Sequence, residues 1–113
     1  MGCTHTVQCL ISEDIMQDSE ELLKNGEFSS FAELANHAIR CFAEAIQFGF
    51  TTGPYVRMKG TQPKNVRVEK YPMDVLKERC GLKSYEIADY ALDWYINSYR
   101  NGRMEPIPQK RMG

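Results

Sequence analysis

Residues 7–46 read VQCLISEDIMQDSEELLKNGEFSSFAELANHAIRCFAEAI, and this stretch decides the fold class. Side chains alternate in character over residues 4–11, which predicts a short strand with one buried face. Two segments with apolar residues at helical spacing follow, and the Asn25-Gly26 pair between them is typical of a helix end. A strand and two helices of this size bury too little surface to be stable alone, so we expect the unit to pair with another copy.

The starts of both helices carry capping signals. Ser12 precedes the first helix, and we expect its hydroxyl to accept a hydrogen bond from a free amide of the first turn. Ser30 and Glu33 precede and open the second helix with the spacing of a capping box, in which each side chain bonds the other's backbone. These signals predict helices that begin directly after residues 12 and 30.

The same order of elements recurs in the second half of the chain. Val66 and Val68 alternate with polar residues and predict a strand whose valines face inward. Pro72 is suited to the first turn of a third helix, and Ser84 is a candidate cap for a fourth. Aligning the two halves by their helix starts would turn Arg67 inward, and we favour the valine alternation, which places it outward.

The chain divides into four predicted segments. Residues 1–49 form the first unit, and residues 50–64 form a basic linker that is rich in glycine, proline and threonine. Residues 65–101 form a divergent second unit, and residues 102–113 are expected to be a disordered tail. The expected fold is therefore mainly α-helical with a short β-ribbon.

Charge is distributed unevenly along the chain. The net charge is -1, but residues 1–50 hold eight acidic against two basic side chains, and residues 51–113 hold seven acidic against twelve basic ones. We therefore expect a polyanion to approach the C-terminal half. No apolar run reaches the ~18 residues of a membrane span and no secretory signal is recognisable, so we expect a cytoplasmic protein without a membrane partner.

The four cysteines lack the C-x-x-C spacing of common metal sites, and we expect reduced thiols. His37 and Cys41 share one face of a helix, which leaves a metal site open as an alternative. Such a zinc site would draw on His37, Cys41, Cys3, His5 and Cys9. Small core residues explain Cys9 and Cys41 better, so we expect neither a metal nor a cofactor.

An enzymatic function is not expected. The sequence contains no nucleophile elbow, no glycine loop that would cradle phosphates and no H-E-x-x-H zinc motif. The chain has only two histidines, so few candidates exist for general acid–base catalysis by histidine. The carboxylates stand at helix starts and on polar helix faces, where solvation explains them.

Residues 4–46 resemble the ribbon-helix-helix family of prokaryotic DNA-binding proteins. The match lies in the strand that ends with CLISED at residues 9–14 and above all in GEFSSFAEL at residues 26–34, with Ala38-Ile39-Arg40 in register. Residues 64–100 resemble the family as a divergent second copy. The resemblance implies tandem ribbon-helix-helix units, β-α-α, linker and β-α-α. Their strands would pair as an antiparallel ribbon, either within one chain or between two chains of a homodimer.

The resemblance also implies a set of DNA contacts, because in that family the ribbon enters the major groove and reads base edges. Carried over by position, the base contacts are Thr6, Gln8, Asn65 and Arg67. Leu10 lies on the same outward face but can touch only apolar groups. Amides at a second-helix N-terminus hold a backbone phosphate in the family. The candidate phosphate contacts are Ser29, Ser30, Lys83 and Ser84, with Arg57 and Lys59 of the basic linker.

These implications amount to a sequence-specific DNA-binding transcriptional regulator of the repressor, plasmid or viral regulator, or antitoxin type. Its partners would be double-stranded DNA and a paired unit of the same kind. The alternative is a ribbon-helix-helix module for oligomerisation or protein interaction that has lost DNA readout and binds a protein through its acidic N-terminal half. Arg67 and the basic linker favour the regulator, whereas Leu10 and the acidic first half favour the alternative.

Overall fold

The computed structural model describes residues 4–49 and 60–100, and the side chains only as far as residue 97. The elements in chain order are β1 (Thr4–Ser12), α1 (Glu13–Lys24), α2 (Phe31–Gln47), β2 (Thr61–Glu69), α3 (Lys70–Cys80) and α4 (Ser84–Arg100). Within these ranges the protein is mainly helical, with four helices and one two-stranded antiparallel sheet. None of these helices is long and apolar enough to cross a bilayer. The predicted tail and residues 50–59 of the predicted linker lie outside the described residues.

The two strands pair with each other within the chain. All nine residues of β1 are opposite residues of β2, and Gln8 faces Asn65 at the centre of the register. Thr4 faces Glu69 at one end of this ribbon. The sequence left open whether the strands pair within one chain or between two, and the structure pairs them within one.

Strand β2 begins earlier than the sequence predicted. Residues 61–64, which we had expected in the linker, form the first part of the strand, because pairing with β1 overrides their loop-like composition. Pro63 is compatible with this position since both strands of a two-stranded sheet are edge strands. Gly60 leads into β2 with a φ of 71°, and its carbonyl accepts a hydrogen bond of 3.1 Å from the amide of Glu13.

One contiguous core contains residues from all six elements. The ribbon contributes its inner face, which consists of Val7, Cys9 and Ile11 from β1 and Val66 and Val68 from β2. The inward position of both valines of β2 confirms the valine alternation, and the alignment by helix starts is therefore wrong for this strand. Large side chains such as Phe42 and Leu92 are fully buried between the helices, and each contributes ~1.5–3 kcal/mol through burial.

The capping predictions have mixed outcomes. Ser30 caps α2 as predicted, since its hydroxyl accepts from the Glu33 amide at 3.1 Å. The prediction for Ser12 is wrong, because its hydroxyl makes no cap hydrogen bond to α1 and donates instead to a carboxyl group of α4. The prediction that Ser84 precedes α4 as its cap is off by one residue, because α4 begins at Ser84 itself. Gly26 has a φ of 81° just beyond α1, as expected for a helix end.

Candidate nucleic-acid interface

The outer face of the ribbon carries the side chains that alternate with the buried ones. It consists of four cross-strand pairs, Thr4–Glu69, Thr6–Arg67, Gln8–Asn65 and Leu10–Pro63, which we call the ribbon face. Six of these eight side chains are exposed, among them Thr6, Gln8, Asn65 and Arg67, whereas Leu10 and Glu69 are half-buried. The structure thus brings all four candidate base contacts together as two neighbouring pairs.

The chemistry of these two pairs matches the edges of bases in the major groove. Gln8 and Asn65 both end in carboxamides, which can donate to and accept from adenine at once. Arg67 carries five N–H donors in a planar fork that suits the two acceptors of guanine. A two-stranded ribbon is narrow enough to enter the major groove of B-DNA, which is about 12 Å wide. The ribbon face therefore presents donors and acceptors of the kinds that pair with base edges.

Arg67 is held from two directions. Its Nε atom donates to the hydroxyl of Thr4 at 3.1 Å, so the terminal nitrogens are the pair that would face a base. Its backbone carbonyl accepts from Asn36 Nδ2 at 2.7 Å, and Asn36 Oδ1 accepts from the Glu69 amide at 3.3 Å. Asn36 of α2 therefore fixes the end of β2, while Thr4 of β1 fixes the guanidinium.

A matching contact fixes the end of β1. Asp89 of α4 is only 2% exposed, and its two carboxyl oxygens accept from the amide and the hydroxyl of Ser12, both at 2.9 Å. Asp89 follows Asn36 by 53 positions, the same interval that separates Ala38 from Ala91. Each of these side chains thus binds the last residue of the strand from the other half of the chain. Sequence reasoning missed both residues, although the shared interval of 53 was a usable signal.

The N-terminus of α2, where Ser29 and Ser30 are candidate phosphate contacts, is already occupied by a carboxylate. Glu33 Oε1 accepts from the Ser29 amide at 2.6 Å and from the Ser29 hydroxyl at 2.7 Å. The hydrogen bond from the Ser29 amide, followed by that from its hydroxyl, lowers the pKa of Glu33 below its ordinary value. A phosphate at this helix end would have to displace Glu33 from these donors.

Lys64 brings a positive charge to the same helix end. Its Nζ atom lies 5.3 Å from the centroid of the Phe31 ring, in the geometry of a cation–π contact. Sequence reasoning had placed Lys64 in the linker and had not singled it out. The register of β2 places Lys64 opposite Cys9, and the contact with Phe31 shows that its side chain lies beside the start of α2.

The corresponding end of α4 is arranged in the same way. Glu86 Oε1 accepts from the Lys83 amide at 3.0 Å, so a carboxylate again occupies a donor that a phosphate would use. The Lys83 side chain is exposed, and Ser84 is half-buried. The remaining candidate phosphate contacts, Arg57 and Lys59, lie outside the described residues.

The cysteines and histidines do not assemble into a metal centre in residues 4–49 and 60–100, where no three His, Cys, Asp or Glu side chains are grouped for a metal ion. Cys41 Sγ and His37 Nε2 are 3.5 Å apart, and the His37 ring lies edge-on to Tyr95 at 5.2 Å. Burial raises the pKa of Cys41 and of Cys9 to about 11, which keeps both thiols protonated. Cys3 lies outside the described residues.

A second concave surface lies between α2, the end of β2 and the start of α3. It encloses about 410 Å³ and is lined by Arg40, Ala43, Glu44, Gln47, Glu69, Tyr71 and Pro72, and we call it the α2–α3 groove. Arg40 and Glu69 form an ion pair of 3.5 Å across it, and Gln47 Nε2 donates to the Tyr71 hydroxyl at 2.6 Å. Tyr71 is 66% exposed, and Phe48, directly after α2, is 77% exposed.

Comparison with protein-family models, curated protein sequences and solved structures found no match to this chain.

Proposed function

We propose that the chain consists of two ribbon-helix-helix-like units in one polypeptide and binds duplex DNA in a sequence-specific manner through its ribbon face. The observation that carries this proposal is the exposed row formed by Thr6–Arg67 and Gln8–Asn65 on an intrachain antiparallel ribbon. The protein would act as a transcriptional regulator of the repressor, plasmid or viral regulator, or antitoxin type. Such a protein works by occupying its site and needs no catalytic group.

The fixed geometry of the ribbon supports this function. Its inner face is buried in the core, and both strand ends are held by side chains of the second helices, Asn36 and Asp89. The base-reading side chains therefore project from a rigid support, which lowers the entropy that is lost on binding. Lys64 and Lys83 stand near the two helix N-termini and would contact the DNA backbone on either side of the ribbon.

Replacing Arg67 with alanine tests the proposal. The duplex should first be selected from a random pool at near-physiological salt, and its affinity for each purified variant then measured by fluorescence anisotropy. We expect Arg67→Ala to weaken binding by ~1–3 kcal/mol, the value of one bidentate base contact, and to relax the preference for one guanine. Arg79→Ala is the matched control, because it removes the same charge from an exposed position in the last turn of α3.

Two results would overturn the proposal. If Arg67→Ala and Arg79→Ala weaken binding equally, Arg67 contributes only general charge and does not read a base. If selection enriches no motif and binding disappears as salt rises, the affinity comes from counterion release alone. Circular dichroism of each variant should accompany the binding curves, so that a loss of fold is not mistaken for a loss of contact.

The second candidate function is a module for oligomerisation or protein interaction. It is favoured by two exposed aromatic side chains, Tyr71, which lines the α2–α3 groove, and Phe48, directly after α2, since exposed apolar patches often mark interaction surfaces. It is also favoured by the carboxylates of Glu33 and Glu86, which take helix-start donors that DNA phosphates would use. Under this candidate no duplex motif is enriched, and the chain self-associates in sedimentation experiments.

A further inference from the structure

We propose that the DNA site read by one chain is asymmetric, with one half read by Arg67 through hydrogen bonds and the other by Leu10 through contact with thymine methyl groups. This inference rests on the proposed function and specifies the kind of duplex that the ribbon face accepts. It follows from a mismatch between the symmetric backbone of the ribbon and the side chains that it carries.

The backbone of the ribbon is symmetric about its central pair. Because the strands are antiparallel and Gln8 faces Asn65, a two-fold axis between these residues exchanges each strand with the other. This axis relates Arg67 to Leu10 and Thr6 to Pro63. A ribbon made of two identical strands would carry the same side chains at related positions, and it would read two identical half-sites.

The first side of the ribbon face is polar. Arg67 and Thr6 face each other there, both are exposed, and together they offer a guanidinium and a hydroxyl. Thr4 and Asn36 fix the guanidinium and the backbone of Arg67, as their hydrogen bonds of 3.1 and 2.7 Å show. This side can therefore distinguish a guanine by its two major-groove acceptors.

The second side of the ribbon face is apolar. Leu10 and Pro63 face each other there, and neither side chain has a hydrogen-bond donor or acceptor. The apolar group that bases present in the major groove is the thymine methyl, so this side can select only through that methyl group. Ser12, the next outward residue of β1, cannot replace the missing donors, because it is fully buried and bonded to Asp89.

The centre of the face adds a third preference. Gln8 and Asn65 both carry carboxamides, which favour adenine. From the Thr6–Arg67 pair to the Leu10–Pro63 pair the ribbon covers about 13 Å, roughly four base pairs of B-DNA. The expected core motif therefore has adenine-containing pairs at its centre, guanine on one side and thymine on the other.

Half-site exchange tests the inference. From the selected duplex, two palindromes are built, one with two copies of the guanine half and one with two copies of the thymine half. We expect wild-type protein to bind the palindrome of thymine halves roughly 5–150-fold more weakly than the selected duplex, because the Arg67 contact is lost. The palindrome of guanine halves should bind no tighter than the selected duplex, because Leu10 gains nothing from a guanine.

A variant that restores symmetry sharpens the test. Leu10→Arg places a guanidinium at the position related by the two-fold axis to Arg67, and it should make the palindrome of guanine halves the tightest of the three duplexes. Arg67→Ala should instead bind the selected duplex and the palindrome of thymine halves equally. Circular dichroism and the stoichiometry of one chain per core motif serve as controls for both variants.

The outcomes separate the inference from the proposed function. An asymmetric core motif with the expected order of affinities supports both. A palindromic core motif bound by one chain, or tighter binding of wild-type protein to the palindrome of guanine halves, overturns the asymmetric readout and leaves DNA binding intact. A selection that enriches no motif removes the proposed function, and the inference fails with it.

Discussion

Replacing Val66 with aspartate is expected to cost about 4 kcal/mol or more of unfolding free energy, a large part of the stability of a domain of this size. Val66 is 1% exposed and faces Val7 on the inner face of the ribbon. A carboxylate there would be buried without a cation or a set of donors, and such a charge is strongly destabilising. Urea denaturation followed by circular dichroism measures the effect.

The neighbouring residue provides the matched control. Asn65 is exposed on the ribbon face, so Asn65→Asp introduces the same carboxylate one position away and should change stability by no more than about 0.5 kcal/mol. Because adjacent residues of a strand face opposite sides, the pair of variants reports the orientation of β2 directly. Equal tolerance of both substitutions, or greater damage from Asn65→Asp, would contradict the register of the ribbon.

The second large loss of stability is expected when Asp89 is replaced. Asp89→Ala removes both acceptors of Ser12, whose amide and hydroxyl would remain buried without partners. Unsatisfied buried donors and a lost pair of hydrogen bonds to a carboxyl group together amount to a loss of about 3 kcal/mol. The loss should appear as a lower urea midpoint with an unchanged denaturant slope.

Two further substitutions identify the cause of that loss. Asp89→Asn keeps an acceptor for the Ser12 amide and gains a donor that the Ser12 hydroxyl can accept, so the loss should stay below about 1 kcal/mol. Asp93→Ala removes a carboxyl group one helical turn further along α4, from an exposed position, and should cost no more than about 0.5 kcal/mol. If Asp89→Ala is as mild as Asp93→Ala, the contact with Ser12 does not hold the end of β1.

Local signals predicted much of the fold. The Ser30 cap and the glycine after α1 depend on contacts within a few residues, and both have the expected geometry. The reciprocal bond of the capping box differs, because Glu33 accepts from the amide of Ser29. The alternation of Val66 and Val68 depends on burial alone and correctly oriented β2. These features could be predicted because the residues that cause them are neighbours in sequence.

The errors arose where distant residues compete with local preference. Ser12 has the sequence context of a helix cap, but its hydroxyl donates a hydrogen bond to a carboxyl group 77 positions later. Residues 61–64 have loop-like composition, but pairing with β1 makes them part of a strand. Both contacts join residues that are far apart in the sequence, so local propensity alone gave the wrong answer.

In the candidate site, too, local signals predicted some features and distant contacts determined the others. A period of two predicted which side chains face outward, and the register then placed Thr6 opposite Arg67 and Gln8 opposite Asn65. The sequence could not predict the competition at the helix starts. Ser29 was a candidate phosphate contact, while Glu33 of the capping box, one turn later, uses the same donors. The α2–α3 groove was missed because its lining comes from three separate elements.

The most direct test of DNA reading by the ribbon face is an NMR titration of the isotopically labelled chain with the selected duplex. We predict that the side-chain amide signals of Gln8 and Asn65 shift most, together with the backbone amides of residues 4–10 and 64–69. Signals from the α2 side of the α2–α3 groove, such as the side-chain amide of Gln47, should change little. Shifts confined to the groove or the helices, with the ribbon signals unchanged, would contradict the account.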